Sequence, residues 1–223
     1  MLDSRAEQDL SSHEKEVNFM KPENKKAEMA KILIKIDALK FGVFKLTSGK
    51  PSPYYVDLRV VPSFPDAFTQ ICDFYAEYIS REIGLKNFDR IAGVPIAGIP
   101  FASQIAYNLK KPFLYVRKGL RRHGRQRRVE GILVSGNRVL LVDDLVTTGL
   151  TLKKAAEAIR AEGGVVEQAV AFLDREEGGK EKLAKNGIKL HTLLRISEVA
   201  KTLYDIGAID EESLKTITKQ IKK

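Results

Sequence analysis

One cysteine, Cys72, is all that the 223 residues contain. That excludes an internal disulfide and a cysteine-rich zinc site. No apolar run approaches the roughly 20 residues that a membrane-spanning helix needs. The first residues, MLDSRAEQDLSSHEKE, are polar and acidic and lack the apolar core of a signal peptide. Internal repeats and low-complexity tracts are also missing. These absences point to a soluble, cytoplasmic chain with no membrane partner. What is present is an ordinary globular composition, 43% hydrophobic and 30% charged, outside the low-hydrophobicity regime of disorder. The length suits one domain with an ornament and is enough for a core.

The formal net charge is +9, from 38 Lys and Arg against 29 Asp and Glu. Such an excess invites a nucleic-acid reading, so its location matters. Residues 117–128 read RKGLRRHGRQRR and carry seven cations, Arg117, Lys118, Arg121, Arg122, Arg125, Arg127 and Arg128, with no acid among them. The stretch has two glycines and no apolar periodicity, which describes a loop and not a helix. The charge is therefore a local feature.

Residues 1–23 are polar and aperiodic and read as a flexible extension, ahead of one domain over 24–223. Met29, Ile32, Leu33, Ile36 and Leu39 recur at helical spacing up to Gly42. Two short extended pieces, 43–46 and 54–58, flank a Ser/Gly/Pro turn, and 66–83 reads as a helix with Cys72 on its apolar face. The chain then alternates: strands at 90–94, 112–116, 138–143, 165–173 and 187–194, with helices at 98–109 and 151–162. Strands alternating with helices imply an α/β fold with a central parallel sheet flanked by helices. Residues 196–223 read as two amphipathic helices.

The segment RVLLVDDLVTTGLTLKKAAEAIRAEGG carries the chemistry. An apolar strand ends in two adjacent carboxylates, Asp143 and Asp144. The loop residues Leu145, Val146, Thr147, Thr148, Gly149 and Leu150 follow, and Thr151 opens a helix. Ligands of open α/β sheets bind at the carboxyl ends of the strands. A helix N-terminus preceded by small residues offers free N–H groups and a positive dipole end to a phosphate. The carboxylates accept hydrogen bonds, so they suit sugar hydroxyls or a hydrated Mg2+. The combination is a ribose-phosphate cradle, distinct from both a GxxxxGK[ST] loop and a GxGxxG turn.

VLLVDDLVTTGLT resembles the PRPP-binding signature of the type I phosphoribosyltransferases (PRPP is phosphoribosyl pyrophosphate). FGVFKLTSGKPSPYYVDLR, YVRKGLRRHG and FLDREEGG are similar to segments of the orotate phosphoribosyltransferase family, in order and over about residues 31–179. The resemblance implies transfer of ribose 5-phosphate from PRPP to orotate, giving orotidine 5′-monophosphate and pyrophosphate in pyrimidine synthesis. It implies Mg2+ as cofactor, held at Asp143 and Asp144 through PRPP or water. It implies a small hood from about 24–62 and 196–223 over a core of about 63–195. It also implies a homodimer in which a mobile loop, 117–131, is shared between subunits.

By matching position, Lys118, Arg121, His123 and Asp144 would be catalytic. PRPP would meet Arg117, Asp143, Asp144, Leu145, Val146, Thr147, Thr148, Gly149, Leu150 and Thr151, together with Ala97 and Gly98 in the loop IAGVPIAGIP. Orotate would meet Tyr54, Tyr55, Thr147 and Arg175, the arginine holding its carboxylate by charge-assisted pairing. One of the two tyrosines should face the core. The chain departs from relatives at three places: Arg121, Thr47 and Ala97 stand where lysines occur. Arginine at 121 keeps the charge but does not readily release a proton. His191, in a strand, reads as structural. Two other readings stay open: a phosphoribosyltransferase for a purine or another base, and a PRPP-sensing regulator that binds nucleic acid through the basic loop. No helix-turn-helix or aromatic-interleaved basic patch accompanies that loop, so a nucleic-acid partner is not expected.

Overall fold

The computed structural model describes residues 22–45, 49, 51–119 and 127–221. The chain opens with helix α1 (Pro22–Lys35) and an antiparallel hairpin, β1 (Leu39–Lys45) and β2 (Pro51–Val56). The helical spacing that reads on to Leu39 is broken earlier. Asp37 adopts a left-handed conformation (φ 58°), the Ala38 N–H closes the helix end on Leu33 O, and Leu39 begins β1. A 3₁₀ turn at Leu58–Ser63 leads into α2 (Pro65–Tyr78), which runs on through a π turn, Ile79–Ile83.

The remaining elements form a βα layer structure. In order they are β3 (Arg90–Gly93), α3 (Gly98–Asn108), β4 (Phe113–Val116), β5 (Val129–Glu130), β6 (Arg138–Val146), α4 (Leu150–Ala161) and β7 (Val165–Asp174). Then come α5 (Gly179–Ala184), β8 (Lys189–Arg195), α6 (Ile196–Asp205) and α7 (Glu211–Ile221). The six-stranded sheet has the order β5-β4-β3-β6-β7-β8. It is parallel except for β5, a two-residue antiparallel edge. The expected α/β sheet is present, and β5 shortens the far side of the basic loop.

The central strand β6 is apolar on both faces because both faces are covered. Leu140 and Val142 join Ile91, Val170, Phe172 and the helices α2, α3 and α6 in one core cluster. Val139 and Leu141 face the other way, with Ala92, Ala169, Ala171 and the α4 residues Leu152, Ala155, Ala156 and Ile159. Met29, Leu33, Tyr54 and Leu203, from the N- and C-terminal segments, belong to the first cluster. Cys72 lies wholly buried there, and burial pushes its thiol up to about 12, so it packs as a small hydrophobe. Among the described residues no helix is long and apolar enough to cross a membrane.

Candidate active site

From β3 the chain goes through α3 to β4 on one side, whereas β6 lies on the other side of β3. This is the topological switch point at which open parallel sheets bind ligands. Three connections meet there. Val94, after β3, donates its N–H to Val142 O at 3.0 Å, and Arg175, after β7, donates its N–H to Val146 O at 2.9 Å. The third is the 147–149 loop after β6.

The acidic pair lies inside β6, which extends past the expected end at Asp143 to Val146 because Asp143, Leu145 and Val146 keep their register with Ala171, Leu173 and Asp174 of β7. Asp143 is 5% exposed and Asp144 half-buried. Successive strand residues point to opposite faces, yet the two are tied locally: Asp144 N–H donates to Asp143 Oδ1 at 3.0 Å. Tyr75 of α2, fully buried, donates its hydroxyl to Asp143 O at 2.5 Å. Burial pushes the Asp143 carboxyl well up, and the Asp144 charge adds to the shift. Burial raises Asp144 too, opposed by its hydrogen bonds and by the Arg59 guanidinium.

The loop after the pair is built for close approach. Gly149 is left-handed (φ 72°) and caps α4, whose first-turn N–H groups have no partner within the helix. Thr148, Leu150 and Thr151 are exposed at its rim, and an open depression is lined by Asp143, Thr147, Gly149 and Thr151. Beneath it lies α5. A Cβ on Gly179 would stand 2.5 Å from Thr147 O, and one on Gly149 2.9 Å from Leu183. This six-residue helix falls between the expected strands at 165–173 and 187–194, where the sequence reading places no element. On the β3 side, Ala97 precedes α3 and Gly98 opens it. Gly98 lies against β6: a Cβ there would meet Val142 O at 2.6 Å and Asp143 Cα at 2.9 Å.

Another side of the site joins the N-terminal hairpin to the end of β7. Arg175 is 7% exposed and Tyr54 1%. Arg175 Nε donates to Tyr54 Oη at 3.2 Å and pairs with Glu177 Oε1 at 3.0 Å. Its Nη2 is buried and has no hydrogen-bond partner among the described residues. Tyr54 faces the core, as one of the pair should, while Tyr55 is 38% exposed and packs on Phe44 with ring centroids 5.7 Å apart. Arg59 grips Asp57 through two hydrogen bonds, 2.6 and 2.7 Å, and reaches Tyr55 Oη at 3.4 Å.

The phosphoribosyl transferase domain model matches residues 65–200. An orotate phosphoribosyltransferase of Cenarchaeum symbiosum is 41% identical over 81% of this chain and 90% of its own. The chain belongs to the orotate phosphoribosyltransferase family. The fold agrees. The Aeropyrum pernix orotate phosphoribosyltransferase superposes with a TM-score of 0.71 at 33% identity, covering 82% of this chain and 99% of that one. The Leishmania donovani UMP synthase gives 0.79 at 31% identity, covering 92% of this chain and 44% of that one.

Of the residues singled out in this family's pattern, the acids, the 145–151 loop, Ala97, Gly98, Tyr54, Tyr55 and Arg175 gather around the carboxyl edge of the sheet. Arg117 stands at the root of the basic loop, paired with Glu130 at 3.0 Å, and Lys118 is exposed. Arg121, His123 and Thr47 lie outside the described residues. His191 meets Gln168 Oε1 at 3.1 Å and packs edge-on against Tyr78, away from the site. Sequence reasoning missed Tyr75 and Arg59. Tyr75 carries no polar signal on an apolar helix face; the Asp57–Arg59 spacing was the one readable hint for Arg59.

Proposed function

We propose that the chain transfers ribose 5-phosphate from PRPP to orotate, forming orotidine 5′-monophosphate and releasing pyrophosphate. Arg175 carries the choice of base. A buried guanidinium nitrogen without a partner is costly, and a substrate carboxylate supplies what it lacks. Purines have no carboxylate to offer. In this reading the C1′–pyrophosphate bond breaks as the C1′–N1 bond to orotate forms, and the N1 proton leaves on the departing pyrophosphate. Asp143 and Asp144 accept from the ribose hydroxyls, and the 147–151 loop with the α4 N-terminus holds the 5-phosphate. The 94–98 loop, Arg117 and Lys118 meet the pyrophosphate, and Tyr54, Tyr55 and Thr147 line the base pocket. Arg121 and His123, on the basic loop, complete the catalytic set by resemblance. The chain's contribution is positioning, charge stabilisation and exclusion of water.

Mg2+ fits the donor set as a passenger on PRPP. Among the described residues no group of three or more His, Cys, Asp or Glu could hold a metal, whereas two adjacent carboxylates suit a hydrated ion that keeps most of its waters. Such an ion neutralises charge on the diphosphate. A cytoplasmic homodimer sharing the 117–131 loop completes the proposal.

Orotate absorbance should fall on mixing the protein with PRPP, Mg2+ and orotate, while adenine, guanine, hypoxanthine and uracil remain unconsumed. Purine turnover without orotate turnover, by well-folded protein, would sink this reading. The shared loop has its own test. Mixing a Lys118→Ala chain with an Asp143→Asn/Asp144→Asn chain, each inactive alone, should restore activity by pairing one intact loop with one intact cradle. Mixtures that exchange subunits yet stay inactive would place each loop over its own site.

A further inference from the structure

Arg175 is an unusual group to bury, and its surroundings are more specific than burial requires. Taking a guanidinium from water is compensated only by well-placed partners. Here the partners are confined to one edge. Nε donates to Tyr54 Oη at 3.2 Å and pairs with Glu177 Oε1 at 3.0 Å. Cζ lies 4.9 Å from the centroid of the Tyr54 ring, within cation–π range. Nη2 is the nitrogen left without a partner. The fork of a guanidinium is rigid, so fixing the Nε edge fixes the plane in which the terminal nitrogens lie.

Both partners are themselves held. Tyr54 is paired with Phe41 in the hairpin, and its carbonyl accepts from Ser52 Oγ at 2.7 Å. The turn after β7 is locked by Asp174, which accepts from Glu176 N–H at 2.7 Å. Glu176 is committed elsewhere: left-handed (φ 58°), it accepts from Ser197 N–H at 2.9 Å in the first turn of α6. That leaves Glu177 to face Arg175. The Glu177 side chain is 33% exposed, so water screens its charge and it repels an incoming carboxylate only weakly.

We propose that Tyr54 and Glu177 are positioning residues that hold Arg175 by its Nε edge, so that its unpartnered Nη2 selects a carboxylate-bearing pyrimidine. This rests on the orotate role of Arg175 proposed above. In it Tyr54 acts through its hydroxyl on the arginine, and the hood contributes to base selection from 121 residues away in sequence.

The test is steady-state kinetics on Tyr54→Phe, Glu177→Gln and Arg175→Ala, alone and in pairs. Melting curves should first show each variant folded; Glu177→Gln, at a partly exposed site, keeps the test available if Tyr54→Phe does not fold. Tyr54→Phe removes one charge-assisted hydrogen bond and Glu177→Gln one ion pair, and each should raise KM for orotate by about tenfold, with KM for PRPP unchanged. Adding Tyr54→Phe or Glu177→Gln to Arg175→Ala should cost nothing further, since there is no guanidinium left to orient. Unchanged orotate KM in both single variants, with a raised KM in Arg175→Ala, overturns the positioning role and leaves the orotate role standing. Full additivity on the Arg175→Ala background overturns it as well, because that marks a packing effect. An unchanged orotate KM in Arg175→Ala overturns both.

Discussion

Replacing Asp143 and Asp144 together with asparagine should abolish PRPP binding and yield a protein that melts at a higher temperature than the wild type. The two effects have one cause. Carboxylates accept hydrogen bonds only, and each ribose hydroxyl they hold is worth about 1.5–3 kcal/mol, so losing both costs roughly 10²–10⁴ in affinity. The same carboxylates sit in a dry place: Asp143 is 5% exposed. Burial raises both carboxyls above the ordinary value of 3.8. The folded state therefore holds protons at a pH where the unfolded chain has released them. The pair's contribution to stability is most favourable in acid and is lost as pH rises through the raised range, leaving the ionised pair as a cost at neutral pH. Asparagine does not ionise, and its carbonyl at 143 can still accept from the 144 N–H. Each kcal/mol relieved is worth about 2–4 °C in a domain of this size. Calorimetric titration with PRPP and Mg2+ measures the first effect. Melting at pH 5 and pH 8 measures the second, and the advantage of the variant should be larger at pH 8. Retained PRPP affinity refutes the cradle, and an equal advantage at both pH values refutes the electrostatic account.

Gly98→Ala should be the most damaging single methyl group in the site. The new Cβ would stand 2.6 Å from Val142 O, 2.9 Å from Asp143 Cα and 3.0 Å from Asp143 Oδ1. The two backbone obstacles cannot yield, because β6 is clamped between β3 and β7 in the middle of the sheet. The helix must move instead, carrying the 94–97 loop off the strand that bears the acids. Overpacking of this kind costs about 1–3 kcal/mol. A loss of PRPP affinity beyond tenfold should accompany it, since small displacements of binding groups are expensive. Chemical denaturation and PRPP titration read the two effects separately. A variant with wild-type stability and affinity would show that α3 does not need this approach.

The close approach at Gly98 is not encoded in any local spacing. The acids, the Thr/Gly loop and the helix after them are neighbours in sequence, so they are legible as a run: an apolar strand, two carboxylates, a Thr/Gly turn. The alternation of strands and helices likewise makes the parallel sheet legible, because period and length report local geometry directly. Local signals failed where a segment takes its conformation from packing. Leu39 continues the helical spacing of α1 but starts β1, and it is buried in either role. α5 is six residues long between glycine and loop, and it is a helix because it packs under Thr147 and Gly149.

The sequence by itself determined the cradle and the sheet that carries it, since both are written in residues close along the chain. Only the tertiary structure decided the partners: Tyr75 under Asp143, Gly98 against β6, and Tyr54 on the guanidinium of Arg175. Strand order brings these groups together from distant parts of the chain, and no local spacing encodes a contact made across a sheet.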